Sequence, residues 1–503
     1  MGKTNVILDY DRNQRRLGVV FGAQHALESA RQNPAMMKVI EAYTAGVNAY
    51  IALLDYEDLA FEYKLLDYAP EQWTPLKCVL LMKSMAQTLN MGDKDIQMTN
   101  ALKLFGKDMV ALLYPDREQV GDAIVEKPGQ WNFEAPQLDT IPLAVPEDLI
   151  AVTGLSVPDP NIGSNNWAVS GGRTASGAPI LCNDPHLDLT LPSIWYVTHL
   201  SAPGVNVMGA TLPGAPCVVI GFNDSIAWGV TNAQRDLVDW YAMEFNGDKS
   251  KYKLDDQWVD IKVVVEELKV RDGATFADSV MYTRWGPVPY DERFRAESAR
   301  KHYAFRWIAH DGSEDLLTFY QLNRAQNHGQ YMNALDHFNS PAQNFAFASV
   351  SGDIAMRIQG KFPMRRHLEG KFALDGTRSS NGWQAFIPSR ENVMYKNPPR
   401  GFVSSANQYP ADSTYPYYIT ATSYEAYRNR RINDVLRADT SVTVEDMMTL
   451  QNDTYKPEGI RKPQHAAGKP QPGRDERGGE KGYRPASRVG LPKLDSVRSG
   501  RLF

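Results

Sequence analysis

The spacing of apolar residues changes period at residue 164, and that change constrains the fold most. Up to about residue 110, apolar side chains recur at helical spacing. The runs are MMKVIEAYTAGVNAYIALL over 36–54, LKCVLLMKSMAQTL over 76–89 and NALKLFGKDMVALLYP over 100–115, which Pro115 stops. Over 116–163 Pro, Asp and Glu become frequent and the periodicity fades, as in a linker or surface excursion. From 164 the period is two. NWAVSG and APILCND flank a Gly-rich turn and read as a hairpin. IWYVTHLSA, VNVMGATL, CVVIGFND and IAWGVTN follow, separated by Pro, Gly and Asn-Asp turns, which predicts a large antiparallel sheet. Further strands are predicted at 261–271, 278–284, 302–308 and 344–358, and helix at 313–338.

Composition narrows the function. The 503 residues carry 59 Asp/Glu against 54 Lys/Arg, a net charge of −5. The chain as a whole therefore lacks the basic excess of a nucleic-acid binder. No window approaches roughly 18 uninterrupted apolar residues, so no membrane-spanning helix is predicted. Cys78, Cys182 and Cys217 have no metal-ligand spacing. The opening residues, MGKTNVILDYDRNQRR, lack the apolar stretch of a signal peptide. The segment 462–503 holds ten Lys/Arg against four Asp/Glu, with seven Gly and five Pro. Such a stretch buries too little apolar surface to fold, and reads as a disordered basic tail or a non-native end.

Most familiar catalytic signatures are missing: no His-Glu-x-x-His, no phosphate-binding Gly-x-x-x-x-Gly-Lys-Ser/Thr, no Gly-x-Ser-x-Gly. Asp184, His186 and Asp188 alternate along DPHLD and would share one strand face, a conceivable metal site that Pro185 weakens. The informative point is Gly163-Ser164-Asn165-Asn166-Trp167, where linker gives way to strand. One reading is a turn entering a strand. The other is chemical. Cutting the bond before Ser164 frees an α-amine whose pKa of about 7.7–8.0 leaves much of it neutral near neutral pH. That amine can be the general base for its own hydroxyl, with no catalytic His or Asp.

SNNWAVSGGRTASGAPILCNDPHL, LPGAPCVVIGFNDSIAWGVTNAQRDLVDWY and PAQNFAFASVSGDIAMRIQGKFPMR, in that order, resemble the penicillin acylase family of N-terminal nucleophile hydrolases. The resemblance runs from about residue 36 to about 455. It implies an α+β protein, a four-layer αββα sandwich, made as a precursor that cuts itself between Gly163 and Ser164. Residues 1–140 would be a mostly helical α chain, 141–163 a spacer and 164–461 the β chain, the two chains forming a heterodimer. The implied reaction is hydrolysis of a small N-acyl amide through an acyl-serine. Ser164 would be nucleophile, with Asn232 (backbone N–H) and Asn344 (side chain) as oxyanion donors. His186 would help hold the α-amine and a water, and Arg365 would depress the amine pKa.

The resemblance also implies one structural Ca²⁺, held by Asp95, Asp236, the Val238 carbonyl and Asp239, and no organic cofactor. Met85, Leu89, Leu187 and Ile220 match acyl-pocket positions. Where penicillin G acylases place aromatics at several of these, Leu89, Leu187 and Ile220 are aliphatic, so an aliphatic acyl chain is expected, from penicillins, N-acyl-homoserine lactones or acylated peptides. Export to the periplasm or beyond is implied, with neither nucleic acid nor membrane as partner. The family pattern begins some tens of residues further upstream and continues past residue 460. Two other classes stand beside this reading: a remnant that stays uncut, and a serine hydrolase using Ser164 with His186 and an Asp.

Overall fold

Alternation along two strands sets the layers. In Gln343–Ser349, Phe345 and Phe347 point to one face and Ala346 and Ala348 to the other. The phenylalanines pack with Ala23, Val79, Met82 and Leu316 from helices, while the alanines meet Ala168 and Val403 from a second sheet. In Gly163–Val169, Trp167 and Val169 face helices and Ala168 faces inward. Bulky residues fill the wide helix-sheet gaps, and alanine lets two sheets approach.

The computed structural model describes residues 5–92, 94–115, 123–126, 131–138, 163–271, 273–419 and 426–455; the predicted spacer over 141–163, save Gly163, and the tail over 462–503 lie outside them. Helices Val19–Arg31, Pro34–Ile51, Pro75–Asn90, Asp315–Leu322 and His328–Leu335 supply the first layer. Pro at the first turn opens two of them, where its missing N–H costs nothing. The second layer is a seven-stranded sheet. It runs Met394–Lys396, Ile354–Gln359, Gln343–Ser349, Ile226–Asn232, Ile220–Asn223, Val205–Thr211, Tyr196–Ala202, and every pair is antiparallel. The third layer is the sheet Phe402–Ser405, Gly163–Val169, Ile180–His186, also antiparallel. Helices Tyr427–Ala438 and Val444–Gln451 cover it through Ile432, Leu436 and Met447. This is the αββα order expected. Val238–Ala242, Tyr303–Trp307 and Leu374–Asp375 make a further small sheet beside it.

Three differences from the sequence reading have physical causes. The 344–358 strand is two strands joined by a tight turn. Part of the presumed linker is core: Ile124 and Val125 are buried, Val125 bridges Ala411, and Trp131 and Phe133 pack edge-on against Tyr415. Single apolar residues set among Pro and Asp leave no period to detect. The last two helices are also absent from the reading, because Tyr427–Ala438 is Arg-rich and shows only a narrow apolar stripe.

Candidate active site

Ser164 is the second residue of Gly163–Val169 and is 6% exposed. Its alternation class is that of Asn166 and Ala168, so its hydroxyl faces the seven-stranded sheet. Two asparagines join the sheets there. Asn166 Nδ2 donates to the Asn344 carbonyl (3.0 Å), and Asn183 both donates to the Val230 carbonyl (3.0 Å) and accepts from its N–H (2.5 Å). A Cβ at Gly229 would lie 2.3 Å from Asn183 Oδ1, which explains the glycine of the Trp-Gly-x-Thr-Asn motif. The motif's Trp228 is buried and donates from Nε1 to the Val219 carbonyl at 2.9 Å. Its last residue, Asn232, presents a backbone N–H to Ser164 Oγ at 3.4 Å.

The second donor to Ser164 Oγ is Asn407 Nδ2, at 3.3 Å. Asn407 follows the strand Phe402–Ser405 with φ 67°, a left-handed conformation that Asn tolerates. Its amide orientation is fixed by its partners. Ser164 N–H (2.8 Å) and Arg428 Nη2 (2.9 Å) both donate to Oδ1, so Nδ2 must point at Ser164 Oγ and the Asn232 carbonyl (2.8 Å). Arg428, near the start of helix Tyr427–Ala438, also donates to the Ser164 carbonyl (2.9 Å) and Asn165 Oδ1 (2.7 Å).

The predicted residues are distributed differently. Asn344 is fully buried, and its Nδ2 donates to Thr231 Oγ1 (3.0 Å), Ser405 Oγ (3.0 Å) and the Asn232 carbonyl (3.2 Å). It braces Asn232, whose backbone N–H meets Ser164, while the side-chain amide that reaches Ser164 belongs to Asn407. Arg365 lies with Asp236 and Asp239, and Arg366 with Glu369; the arginine at Ser164 is Arg428. His186 pairs across the ladder with Gly163, and Pro185 with Ser164. Directly paired residues share a face, so His186 lies on the face opposite the Ser164 hydroxyl. Its Nε2 is 3.0 Å from Asp184 Oδ2 and 3.3 Å from Asn165 Nδ2. Burial alone would raise the Asp184 pKa, but hydrogen bonds from His186 and Asn165 and the charges of His186 and Arg428 hold it below the usual carboxylate range. Asp184 and His186 of DPHLD thus form a hydrogen-bonded pair, and among the described residues no three His, Cys, Asp or Glu side chains gather as a metal set.

A family model described as "Penicillin amidase" matches residues 2–467. The chain belongs to the penicillin amidase family. It is 28% identical to the penicillin acylase 2 proenzyme of Pseudomonas sp. (strain SE83), covering 88% of this chain and 56% of that protein. It is 26% identical to the acyl-homoserine lactone acylase QuiP of Pseudomonas aeruginosa, covering 89% and 53%. It thus spans about half the length of these relatives. The solved thermostable penicillin G acylase from Alcaligenes faecalis shares the fold. The TM-score is 0.50 at 23% identity, over 57% of this chain and 51% of that one.

For this penicillin amidase family member the calcium expectation meets a specific obstacle. Asp236 and Asp239 do converge, but on the guanidinium of Arg365. Nη1 donates to Asp239 Oδ1 (3.0 Å) and Oδ2 (2.9 Å), and Nη2 lies 3.4 Å from Asp236 Oδ2. Trp383 Nε1 donates to the same Asp239 carboxylate. Gly370 sits at φ 82°, where a Cβ would meet Arg365 Nη1 at 2.5 Å. Asp95 is buried at the start of helix Asp95–Leu113, and Val238 opens the strand Val238–Ala242. A cation already fills the space between the acids, so the residues as placed do not fit Ca²⁺. Of the acyl-pocket candidates, Met85 and Ile220 border the same apolar cluster under the helices. Leu89 gives its carbonyl to Asn232 Nδ2 (2.7 Å), and Leu187 is half-buried just past His186. Among the described residues no helix is long and apolar enough to cross a membrane.

Proposed function

We propose that this chain is the catalytic part of an amidohydrolase that cleaves N-acyl amides through an acyl-serine at Ser164, after cutting its own Gly163–Ser164 bond. The observation that carries the reading is the convergence of two N–H donors, from Asn232 and Asn407, on a buried serine hydroxyl. In maturation, Ser164 Oγ attacks the Gly163 carbonyl carbon, the C–N bond breaks, and the amine of Ser164 takes the proton. Water then hydrolyses the resulting ester. The freed amine draws the proton from Oγ as it attacks a substrate carbonyl, and that proton passes to the leaving amine. The substrate oxyanion lies within reach of the Asn232 and Asn407 donors. A second water returns the carboxylic acid and free Ser164. His186 supports the amine-base reading over a Ser-His-Asp arrangement, since its partners lie on the other face. The aliphatic Leu89, Leu187 and Ile220 favour an aliphatic acyl chain, as in penicillins, N-acyl-homoserine lactones or acylated peptides. The products of the cut would stay together as a heterodimer, acting in the periplasm or outside the cell.

Intact-mass analysis with N-terminal sequencing tests the reading. Chains of about 18 and 38 kDa by share of residues, the larger beginning Ser-Asn-Asn-Trp, support it; a folded chain that stays whole overturns it. Asn407→Ala is expected to cost about 10²–10³ in kcat, the usual loss for one oxyanion donor. An unchanged kcat would remove Asn407 from that role. Arg428 places a positive charge beside the α-amine and favours its neutral form. Arg428→Met should therefore raise the amine pKa by about one unit and move the acid limb of the kcat/KM profile to higher pH. A limb that stays in place, or moves lower, contradicts the assignment.

A further inference from the structure

The helix Pro75–Asn90 ends on a buried asparagine whose hydrogen bonds go to Asn232, Arg235 and Ala342 and not to Ser164. Its amide is fully engaged. Asn90 Oδ1 accepts the Ala342 N–H at 2.5 Å, and Nδ2 donates to Asn232 Oδ1 at 3.3 Å and to the Arg235 carbonyl at 3.5 Å. Asn232 answers from the other end of its side chain, Nδ2 giving 2.7 Å to the Leu89 carbonyl. Its Oδ1 also takes the Gln234 N–H at 3.0 Å, and Gln234 turns the chain at φ 51°. The Asn232 carbonyl is held separately, by Asn344 and Asn407.

We propose that Asn90 is a positioning residue: from the segment before the cut, it locks the Asn232 backbone so that its N–H stays aimed at the nucleophile oxygen. The inference rests on the proposed oxyanion role of Asn232. Turning the Asn232 N–H away from Ser164 requires its side chain to swing, and that breaks the bonds to both Asn90 and Leu89. A donor pays no reorganisation at the moment of reaction only if it is held beforehand, and a small displacement of such a group is costly. Asparagine suits the place because it offers an acceptor to Ala342 and a donor to Asn232 at once.

Asn90→Asp isolates the donor. It keeps the oxygen for Ala342 N–H and sets a second oxygen against Asn232 Oδ1. Rates are normalised to enzyme titrated with a serine-reactive sulfonyl fluoride. The expected result is kcat lower by about tenfold, KM within twofold, and affinity for an alkylboronic acid, which forms a tetrahedral adduct on serine, lower by the same factor as kcat. Affinity for the product carboxylic acid should not move. A merely structural role would shift product affinity and the thermal midpoint along with kcat, and that pattern overturns the proposal. Amide hydrogen exchange over residues 229–235 gives a readout independent of turnover: it should quicken in Asn90→Asp. Unchanged exchange there overturns the proposal whatever the activity. A wild-type protein that titrates with no sulfonyl fluoride and releases no acid overturns the reading of the site instead.

Discussion

Ser164→Ala is expected to yield one uncut chain of 56.3 kDa with no measurable amide hydrolysis. The loss should be on the order of 10⁶ in kcat, as when a serine nucleophile is removed. Both effects follow from one atom. In the proposed mechanism Ser164 Oγ attacks the Gly163 carbonyl next to it, and it is also the atom that meets the donors of Asn232 and Asn407. The companion variants separate mechanisms. Ser164→Cys supplies a thiol that can still attack, so slow cutting is expected. His186→Ala should leave substantial turnover, because the imidazole pairs with Asp184 on the far face of the strand. If Ser164→Ala is still cut before residue 164, another group performs the cleavage and the α-amine mechanism fails. If His186→Ala abolishes turnover while chain cutting is never seen, the site works as a Ser-His-Asp hydrolase.

The layers and the place of Ser164 at the entry to a strand were legible because each leaves a local trace. Helical spacing before residue 110, period two after 164 and the Gly-Ser-Asn-Asn-Trp junction are short-range signals. Asn232 is reached through the family resemblance of its Trp-Gly-x-Thr-Asn motif, in which packing makes the glycine necessary and the tryptophan donates to the Val219 carbonyl. The rest of the site depends on what folding brings together. Asn344 and Asn407 are both strand-associated asparagines, and nothing local says which amide reaches Ser164. The answer lies in the positive φ of Asn407 just after Phe402–Ser405. Arg428 begins an Arg-Asn-Arg-Arg run in which the sequence gives no sign of a helix or of a site, yet its guanidinium donates to the Ser164 carbonyl and to Asn165. Arg365 illustrates the converse. Its motif context points to the active site, while the fold spends its charge on the buried Asp239 and the half-buried Asp236.

That charge makes Arg365 the residue whose loss should cost the most stability. Asp239 is wholly inaccessible and the Arg365 side chain is 2% exposed. Burial alone would lower the Arg365 pKa, but the charges of Asp239, Asp236 and Glu369 outweigh it and raise it, so the guanidinium stays charged at any working pH. Removing one partner of a buried pair leaves the other charge uncompensated and typically costs about 3–5 kcal/mol. Arg365→Met is therefore expected to lower the unfolding free energy by roughly that amount, read from the urea midpoint of the uncut Ser164→Ala chain. Arg31→Met is the control. Its side chain is 59% exposed against Glu28 at 64%, and exposed pairs contribute only about 0–1 kcal/mol. Asp239→Asn combined with Arg365→Met should be less damaging than the sum of the two single changes, since the double variant no longer leaves Asp239 as a lone, wholly inaccessible charge. A loss under about 1 kcal/mol for Arg365→Met, or strict additivity, would mean that water or another cation replaces the guanidinium. Added Ca²⁺ separates those two: a midpoint that rises with Ca²⁺ in Arg365→Met but not in the parent would show that the acids hold a metal only once the arginine has left.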